Sequence, residues 1–167
     1  MNLSDLNALA DDAARAELLR CCGSAHWVDG MLRRRPFKDK SAVFAAAGAA
    51  WAETGDKDRL EAFAHHPRIG GKDALRAKFA ATKSWAQGEQ SAVAAADEAT
   101  LDALAKGNAD YEARFGFIFI VCATGKSAAE MLALLDGRLA NDRASELSIA
   151  AGEQAKITII RLEKLLI

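Results

Sequence analysis

His66 is the residue of this sequence whose type and setting most favour proton chemistry, because a proline and two glycines follow it closely. Pro67 disfavours helical geometry at the residue before it, so the imidazole of His66 is expected where a helix ends. Gly70 and Gly71 permit a tight turn and a close approach of a ligand to the backbone. A histidine titrates near neutral pH and is a common proton donor or acceptor. The alternative is a helix-terminal histidine that only interacts with the helix dipole, and the neighbouring His65 is expected to face solvent.

A second candidate is the pair Glu89 and Gln90, which follows the polar stretch 84–88. The pair combines an acid with an amide at an expected helix start, where unpaired backbone N–H groups favour anionic ligands. An exposed glutamate in the first turn of a helix gives the same pattern, and the residues alone favour that simpler interpretation.

Arg161 interrupts the apolar stripe of the last predicted helix. Steps of three or four residues along this helix pass through Leu147, Ala150, Gln154 and Ile157 before they reach Arg161. A guanidinium on a face that packs into the core needs an anionic partner. Either a carboxylate of the protein or a carboxylate of a substrate would serve, and the pattern leaves both open.

The elements that must position these residues are predicted to be helices. The chain contains only two prolines and is rich in alanine and leucine, which favour helix. We therefore predict an all-α fold, with a single compact multi-helix domain over residues 1–167. The predicted helices are 4–9, 11–22, one capped by Ser24 that stops before Pro36, one that carries Val43 to Trp51, one capped by Asp56 that runs to His65, 97–115, 127–139 and 144–166.

Residues 117–122, with the sequence Phe-Ile-Phe-Ile-Val-Cys, form the one stretch whose composition is typical of a strand. A single strand has no neighbouring strand to satisfy its backbone groups. The segment is therefore either the buried start of a helix or an extended buried segment. In the second case, its N–H and C=O groups are available to bind a small, flat, polar ligand.

Composition and charge argue against several classes of function. The chain is 51% hydrophobic and 27% charged, which is typical of a soluble globular protein. A formal net charge of -1 gives no electrostatic reason to expect a nucleic acid or an acidic membrane surface as partner. Three histidines and the unspaced Cys21, Cys22 and Cys122 do not form a metal-binding pattern. The cysteines are expected to be reduced, and the first residues show no secretory pattern, so we predict a cytoplasmic protein.

Taken together, these motifs resemble the OHCU decarboxylases, the 2-oxo-4-hydroxy-4-carboxy-5-ureidoimidazoline decarboxylases that complete the conversion of urate to S-allantoin. The matching segments occur in the family's order and cover almost the whole chain, so the ordered set is specific although each segment alone is weak. They are Trp27, Arg35–Phe37, His66–Gly70, Glu89–Gln90, Asn108–Phe117, Asn141, Lys156–Ile157 and Arg161–Leu162. The resemblance implies a compact all-α domain that forms a homodimer and acts on a small ureidoimidazoline.

Carried over position by position, the resemblance implies roles for the residues described above. His66, Glu89 and Arg161 are the expected catalytic residues. His66 would transfer a proton, and Arg161 would bind a carboxylate or carbonyl oxygen. Glu89 and Gln90 would hold the ring and ureido nitrogens of the substrate and orient the imidazole, and Pro67 would line the substrate. The main chain would hydrogen-bond the cyclic urea at five consecutive residues, Phe119, Ile120, Val121, Cys122 and Ala123.

The chain departs from the family near these residues. The family usually has a serine three residues before the glutamate, where this chain has Ala86, and Ser84 is displaced from that position. The spacing from His66 to Glu89 is a few residues longer than is usual in the family. Ile118 replaces a proline that is common in the last of these segments.

The implied chemistry needs no cofactor and no metal, because the substrate carries its own electron sink. The departing carboxylate is attached to the carbon next to a ring C=N, which accepts the electrons released with CO2. Two other functions stay open: a non-catalytic helical module that dimerises through apolar faces, and a hydrolase that opens another ureide or hydantoin ring. The decarboxylase interpretation predicts that His66, Glu89, Arg161 and the backbone of residues 119–121 line one pocket of small-ligand size.

Overall fold

The computed structural model describes residues 1–68, 71–80 and 90–167, without the side chains of residues 78, 80 and 90–96. This part of the chain consists of helices and loops and contains no strand, so the prediction of an all-α fold is confirmed. The helices are α1 (Leu3–Ala8), α2 (Asp11–Cys21), α3 (Ala25–Arg33), α4 (Lys40–Ala52), α5 (Asp56–Ala64), α6 (Lys72–Ala80), α7 (Gln90–Phe115), α8 (Ala128–Leu139) and α9 (Arg143–Leu165).

Two helices differ clearly from their predicted bounds. Helix α6 was not among the predicted helices, and α7 begins at Gln90 although the prediction placed its start at Asp97. Residues 92–96 are almost all alanine, which favours helix but gives no contrast between apolar and polar faces. The periodicity argument therefore missed the first turns of α7.

Polar side chains begin several helices by accepting hydrogen bonds from free backbone amides. Ser24 accepts from the amide of Trp27 at 3.3 Å, which confirms the predicted cap of α3. The prediction that Asp56 caps α5 is wrong. Gly55 occupies the N-cap position, and its own amide donates to the carboxylate of Asp58 at 2.9 Å.

The chain divides into two compact units. The first unit contains Met1–His66, Ile120–Cys122 and Leu147–Ile167, and the second contains Pro67–Phe119 and Ala123–Glu146. The prediction of a single domain over residues 1–167 stays a prediction.

The core of the first unit forms around Trp27, which is fully buried on α3. The indole N–H of Trp27 donates to the carbonyl of Ala47 on α4 at 3.0 Å. Gly30 permits the close approach of these two helices, because a Cβ atom there would lie 2.8 Å from the Cβ atom of Ala50. Leu162 of α9 is buried in the same core, and this fixes the position of its neighbour Arg161.

The second unit contains a buried polar cluster, here called the glutamate network, formed by Tyr111, Arg138, Asn141 and Glu146. One carboxylate oxygen of the fully buried Glu146 accepts hydrogen bonds from the Tyr111 hydroxyl and from Nε of Arg138, both at 2.5 Å. Its other oxygen accepts from the side-chain amide of Asn141 at 2.9 Å. Burial, followed by the hydrogen bond to Glu146, raises the pKa of Tyr111 above its ordinary value. The guanidinium of Arg138 also lies 4.6 Å from the centre of the Phe119 ring.

Residues 117–122 form neither helix nor strand. Helix α7 ends at Phe115, and Gly116 follows with a φ of +79°, in the left-handed region that glycine adopts most readily. The alternative that this segment starts a helix is therefore wrong, since α8 begins only at Ala128. Phe117, Phe119 and Ile120 are buried, as both alternatives required.

Candidate active site

His66 lies just beyond the C-terminal end of α5. Helix α5 ends at Ala64, and the amide of His66 makes one more hydrogen bond, to the carbonyl of Phe63 at 3.1 Å. Pro67 has no amide hydrogen and cannot continue this pattern. The predicted location of His66 at a helix terminus is therefore confirmed.

Gly23 makes room for this helix end. A Cβ atom at position 23 would lie 2.2 Å from the Cβ atom of His65, so any other residue would displace the backbone that carries His66. His65 itself is exposed, as expected, and its Nδ1 atom lies 3.1 Å from the carbonyl oxygen of Glu61.

The partly buried ring of His66 contacts two side chains of α9, and the three residues are here called the histidine cluster. Nε2 of His66 lies 2.5 Å from Oε1 of Gln154, which is fully buried. Nδ1 of His66 lies 3.4 Å from Nη2 of Arg161. All three residues belong to the first unit, so α9 positions the histidine from both sides of its ring.

Burial lowers the pKa of His66 below the ordinary histidine value, because it disfavours the charged form. The hydrogen bond to Gln154 acts in the opposite direction, whereas the positive charges of Arg161 and His65 lower the pKa further. His66 is therefore a neutral imidazole at neutral pH, with one nitrogen able to accept a proton.

Arg161 has uncharged partners in the described part of the chain. Nη1 donates to the backbone carbonyl of Cys21 at 3.3 Å, and Nη2 points to the ring of His66. No carboxylate of the described residues forms an ion pair with it. Of the two partners left open by the sequence, a protein carboxylate is therefore not found in this part of the chain.

Helix α9 also binds the irregular segment that follows α7. The backbone amide of Cys122 donates to Oε2 of Glu153 at 2.7 Å. The other oxygen of this carboxylate lies 2.5 Å from Nζ of Lys156. Adjacent residues of one helix thus hold Cys122 and His66, both within the first unit.

A cavity of about 460 Å³ in the first unit has Arg161 in its wall. The other residues that line it are Met1, Glu17, Arg20, Cys21, Lys164 and Leu165. Because neither His66 nor residues 120–122 line this cavity, it is not the pocket that the sequence predicted.

The OHCU decarboxylase family model matches residues 7–163, a span that contains every residue of the histidine cluster. The chain belongs to the OHCU decarboxylase family. A crystal structure of an OHCU decarboxylase in the presence of (S)-allantoin superposes with a TM-score of 0.72 at 36% identity, over 90% of this chain and 96% of that chain. A crystal structure of (S)-allantoin synthase has a TM-score of 0.71 at 20% identity, over 98% of this chain and 54% of that one, which shows a common fold.

Two curated relatives have about the same sequence identity to this chain as the crystal structure of the OHCU decarboxylase. The uric acid degradation bifunctional protein TTL of Arabidopsis thaliana is 37% identical over 145 residues, which cover 87% of this chain and 45% of that protein. The OHCU decarboxylase of Amia calva is 35% identical over 106 residues, which cover 60% of this chain and 57% of that protein. The matches therefore span about half the length of these two relatives.

The structure places the predicted site residues in three groups. The first unit contains His66, Arg161 and Ile120–Cys122, including Val121. The second unit contains Pro67, Phe119 and Ala123. Glu89 lies outside the described residues, as do Ser84 and Ala86, and Gln90 is the first residue of α7. The shared pocket, including Glu89, therefore stays a prediction.

Sequence reasoning missed the roles of Gln154 and Glu153. Gln154 was visible as a polar residue on an apolar stripe, and a buried amide of this kind needs hydrogen-bond partners. Its partner could not be read from the chain, since His66 lies 88 residues away. Glu153 and the carbonyl of Cys21 carry no pattern of their own in the sequence.

The described residues contain neither a membrane-spanning helix nor a cluster of metal ligands. None of their helices has the length and apolar character to cross a membrane. They also contain no group of three or more histidine, cysteine, aspartate or glutamate side chains that is placed to hold a metal ion.

Proposed function

We propose that this protein converts OHCU to S-allantoin and CO2 without a cofactor, in the last step from urate to allantoin. Membership of the family and the names of its relatives support this activity. The observation that carries the proposal is the contact between His66 and Arg161, 3.4 Å apart in space and 95 residues apart in sequence. It pairs a proton-transfer group with a cation suited to an anionic substrate.

The reaction breaks the bond between C4 of the ring and its carboxylate carbon. The electron pair moves into the adjacent C5=N bond, so CO2 leaves and an enol remains between C4 and C5. The ring nitrogen that receives the π electrons of C5=N takes up one proton, and a second proton added to C5, with loss of the enol proton from the oxygen on C4, gives allantoin. The protein must exclude water from the carboxylate. It must also deliver the proton to one face of C5, because protonation of both faces would give a mixture of enantiomers.

Substrate binding prepares His66 for this step. The positive charge of Arg161 lowers the pKa of His66, together with burial. A substrate carboxylate bound to Arg161 offsets that charge and raises the pKa of the ring, so that His66 gains a proton when the site is occupied. The histidine is then an acid beside the substrate and a neutral ring before the substrate binds.

The remaining substrate contacts follow from the family resemblance. Glu89 and Gln90 hold the ring and ureido nitrogens, and Glu89 orients His66. Pro67 and the main chain of Phe119–Ala123 line the planar cyclic urea. At Cys122 the amide already donates to Glu153, so the substrate must use the carbonyl or displace that carboxylate.

The resemblance also supports a cytoplasmic homodimer as the working form. Light scattering on the purified protein measures its mass in solution directly. A monomer mass at working concentration would contradict the homodimer without affecting the proposed reaction.

The test of the activity is a coupled reaction. Urate, urate oxidase and the hydrolase that follows it generate the substrate in place, and circular dichroism then follows the handedness of the allantoin formed. The wild-type protein should accelerate formation of S-allantoin together with CO2, whereas a mixture without it should drift towards racemic product. An unchanged rate and racemic product would contradict the proposal, and ring opening without CO2 release would indicate a hydrolase.

Chelation tests the absence of a metal cofactor. Protein treated exhaustively with a chelator and then desalted should keep its full rate, because the substrate supplies the electron sink. Activity that is lost on chelation and restored by one added metal ion would contradict this expectation.

A further inference from the structure

Gln154 is a fully buried polar residue on α9 whose hydrogen bonds have a defined direction. Its Nε2 atom donates to the hydroxyl oxygen of Thr158 at 3.1 Å, and its Oε1 atom lies 2.5 Å from Nε2 of His66. The hydroxyl of Thr158 in turn donates to the backbone carbonyl of Gln154 at 3.0 Å. Thr158 is also buried, so neither side chain exchanges these partners for water.

These bonds determine which end of the Gln154 amide faces the histidine. A threonine hydroxyl has one hydrogen, and here it is donated to a carbonyl. Towards Gln154 the hydroxyl therefore presents an acceptor, so the NH2 group of the amide must face Thr158. The carbonyl oxygen of the amide must then face His66, and this oxygen can only accept.

The same reasoning fixes the proton on the imidazole. Because Oε1 of Gln154 is an acceptor, Nε2 of His66 must carry the hydrogen. On the other side of the ring, the guanidinium of Arg161 has only donors, so Nδ1 of neutral His66 must present its lone pair. Both neighbours thus specify one tautomer, although they lie on opposite sides of the ring.

We propose that Gln154 is a positioning residue that holds His66 in the Nε2–H tautomer, so that Nδ1, beside Arg161, is the nitrogen that exchanges the proton with the substrate. This inference rests on the proposed function of the site. When Arg161 donates to a substrate carboxylate, it no longer constrains Nδ1. Gln154 then alone keeps the ring oriented and keeps the second proton on Nε2.

A glutamine suits this task better than a carboxylate. An amide oxygen orients the ring without adding charge, so His66 stays neutral until an anion binds to Arg161. A glutamate at position 154 would orient the ring equally well but would stabilise the imidazolium before substrate arrives. Comparing these two acceptors separates orientation from charge.

Nitrogen NMR tests the tautomer directly. In ¹⁵N-histidine-labelled protein, the wild-type spectrum at neutral pH should show Nε2 of His66 as the protonated nitrogen and Nδ1 as the unprotonated one. Single substitutions of His26, His65 and His66 by asparagine assign the signals. A protonated Nδ1 in resting His66 would overturn the inference, whatever the activity of the protein.

Substitutions at position 154 test the consequence for catalysis. Gln154→Met, which is similar in size but has no acceptor, should lower kcat about 10- to 100-fold with KM changed less than about three-fold, as for other groups that orient a functional histidine. Gln154→Glu should keep the Nε2 proton and raise the pH at which His66 titrates in the NMR spectrum. Normal kcat in folded Gln154→Met, or an unchanged titration in Gln154→Glu, would overturn the inference.

Thr158 supplies a matched pair of variants that leaves Gln154 in place. Thr158→Ser keeps the hydroxyl and should keep both the tautomer and kcat within about three-fold of wild type. Thr158→Val removes the acceptor that orients the amide, so the His66 signals should show a mixture of tautomers and kcat should fall. Equal behaviour of the two variants would overturn the inference, and this pair also decides the matter if Gln154→Met does not fold.

Failure of this inference and failure of the proposed function give different results. A wild-type protein that forms no S-allantoin contradicts the function, while the tautomer is still measured by NMR. A protein that forms S-allantoin at a normal rate with Nδ1 protonated contradicts the inference alone.

Discussion

The glutamate network and the histidine cluster both place an arginine beside buried polar side chains, but the two arginines have different partners. Arg138 pairs with the fully buried carboxylate of Glu146, which Tyr111 and Asn141 also bind. Among the described residues, the hydrogen-bond partners of Arg161 are a backbone carbonyl and the neutral ring of His66. The charge of Arg138 is therefore compensated by a protein carboxylate, whereas no carboxylate of the described residues compensates the charge of Arg161.

This difference separates a structural from a functional use of arginine. A buried ion pair whose hydrogen bonds are all made has no remaining attraction for a ligand, and its removal mainly affects stability. A partly buried guanidinium without a carboxylate produces a positive potential that an anion can occupy. The comparison therefore predicts opposite phenotypes for substitutions in the two clusters.

The largest effect is expected from His66→Asn, which removes the proton-transfer group of the histidine cluster. The rate should fall about 100- to 10,000-fold, with KM largely kept, because proton transfer contributes mainly in the transition state. Steady-state kinetics with the coupled assay measures both constants. His65→Asn is the control and should stay within about three-fold of wild type, since the ring of His65 is exposed, lies beside the carbonyl of Glu61 and does not belong to the histidine cluster. A near-normal rate of S-allantoin formation by His66→Asn would show that the proton comes from another group.

Arg138→Met tests the glutamate network. It leaves the carboxylate of Glu146 buried without its cation, and the free energy of unfolding should fall by about 3 to 5 kcal/mol. Urea denaturation followed by circular dichroism measures this change. Arg161→Met serves as the control, with an expected loss below about 1 kcal/mol because no buried carboxylate loses its partner among the described residues. Equal losses in the two variants would contradict the distinction between the clusters.

Activity of Arg161→Met tests the other side of the comparison. It removes the cation proposed to bind the substrate and should lower kcat/KM about 10- to 100-fold, the loss expected for a hydrogen bond to a charged group. Arg161→Lys keeps the charge without the planar pair of donors and should lose less. If Arg161→Met keeps full kcat/KM, the substrate carboxylate must bind elsewhere.

The smallest effect concerns the pH dependence of stability. The folded pKa of His66 is lowered, so the unfolded chain binds this proton first as the pH falls below the ordinary histidine pKa of 6.5. Proton binding to the unfolded state alone favours unfolding, so the free energy of unfolding should decrease between that pH and the lower folded pKa. Urea denaturation over this pH range should show a steeper decrease for wild type than for His66→Asn. Parallel curves would contradict the burial of a neutral ring.

Much of the helical framework could be predicted from local patterns. Ser24 marks the start of α3, and Leu147, Ala150 and Gln154 of the predicted stripe on α9 are buried. The first turns of α7 were not predicted, because a run of alanines gives no contrast between an apolar and a polar face of a helix. The segment 117–122 was ambiguous because its composition favours burial without specifying backbone geometry. Its outcome depends on Gly116, which turns the chain at the end of α7.

In the candidate site too, some features follow from the local sequence and others depend on tertiary packing. The position of His66 at a helix end follows from Pro67, because a proline restricts the backbone of its neighbour whatever surrounds it. The approach of His66 to Arg161, and the direct hydrogen bond to Gln154, depend on packing of α9 into the core around Trp27.

The sequence by itself determined the helical elements, the helix end at His66, and a cation and an amide on the inward face of α9, since these depend on local backbone restriction and periodicity. Only the tertiary structure decided that the amide meets Nε2 and the cation meets Nδ1 of the same ring. A hydrogen bond requires about 3 Å between two atoms, and residues some 90 positions apart reach that distance only through packing of the helices that carry them.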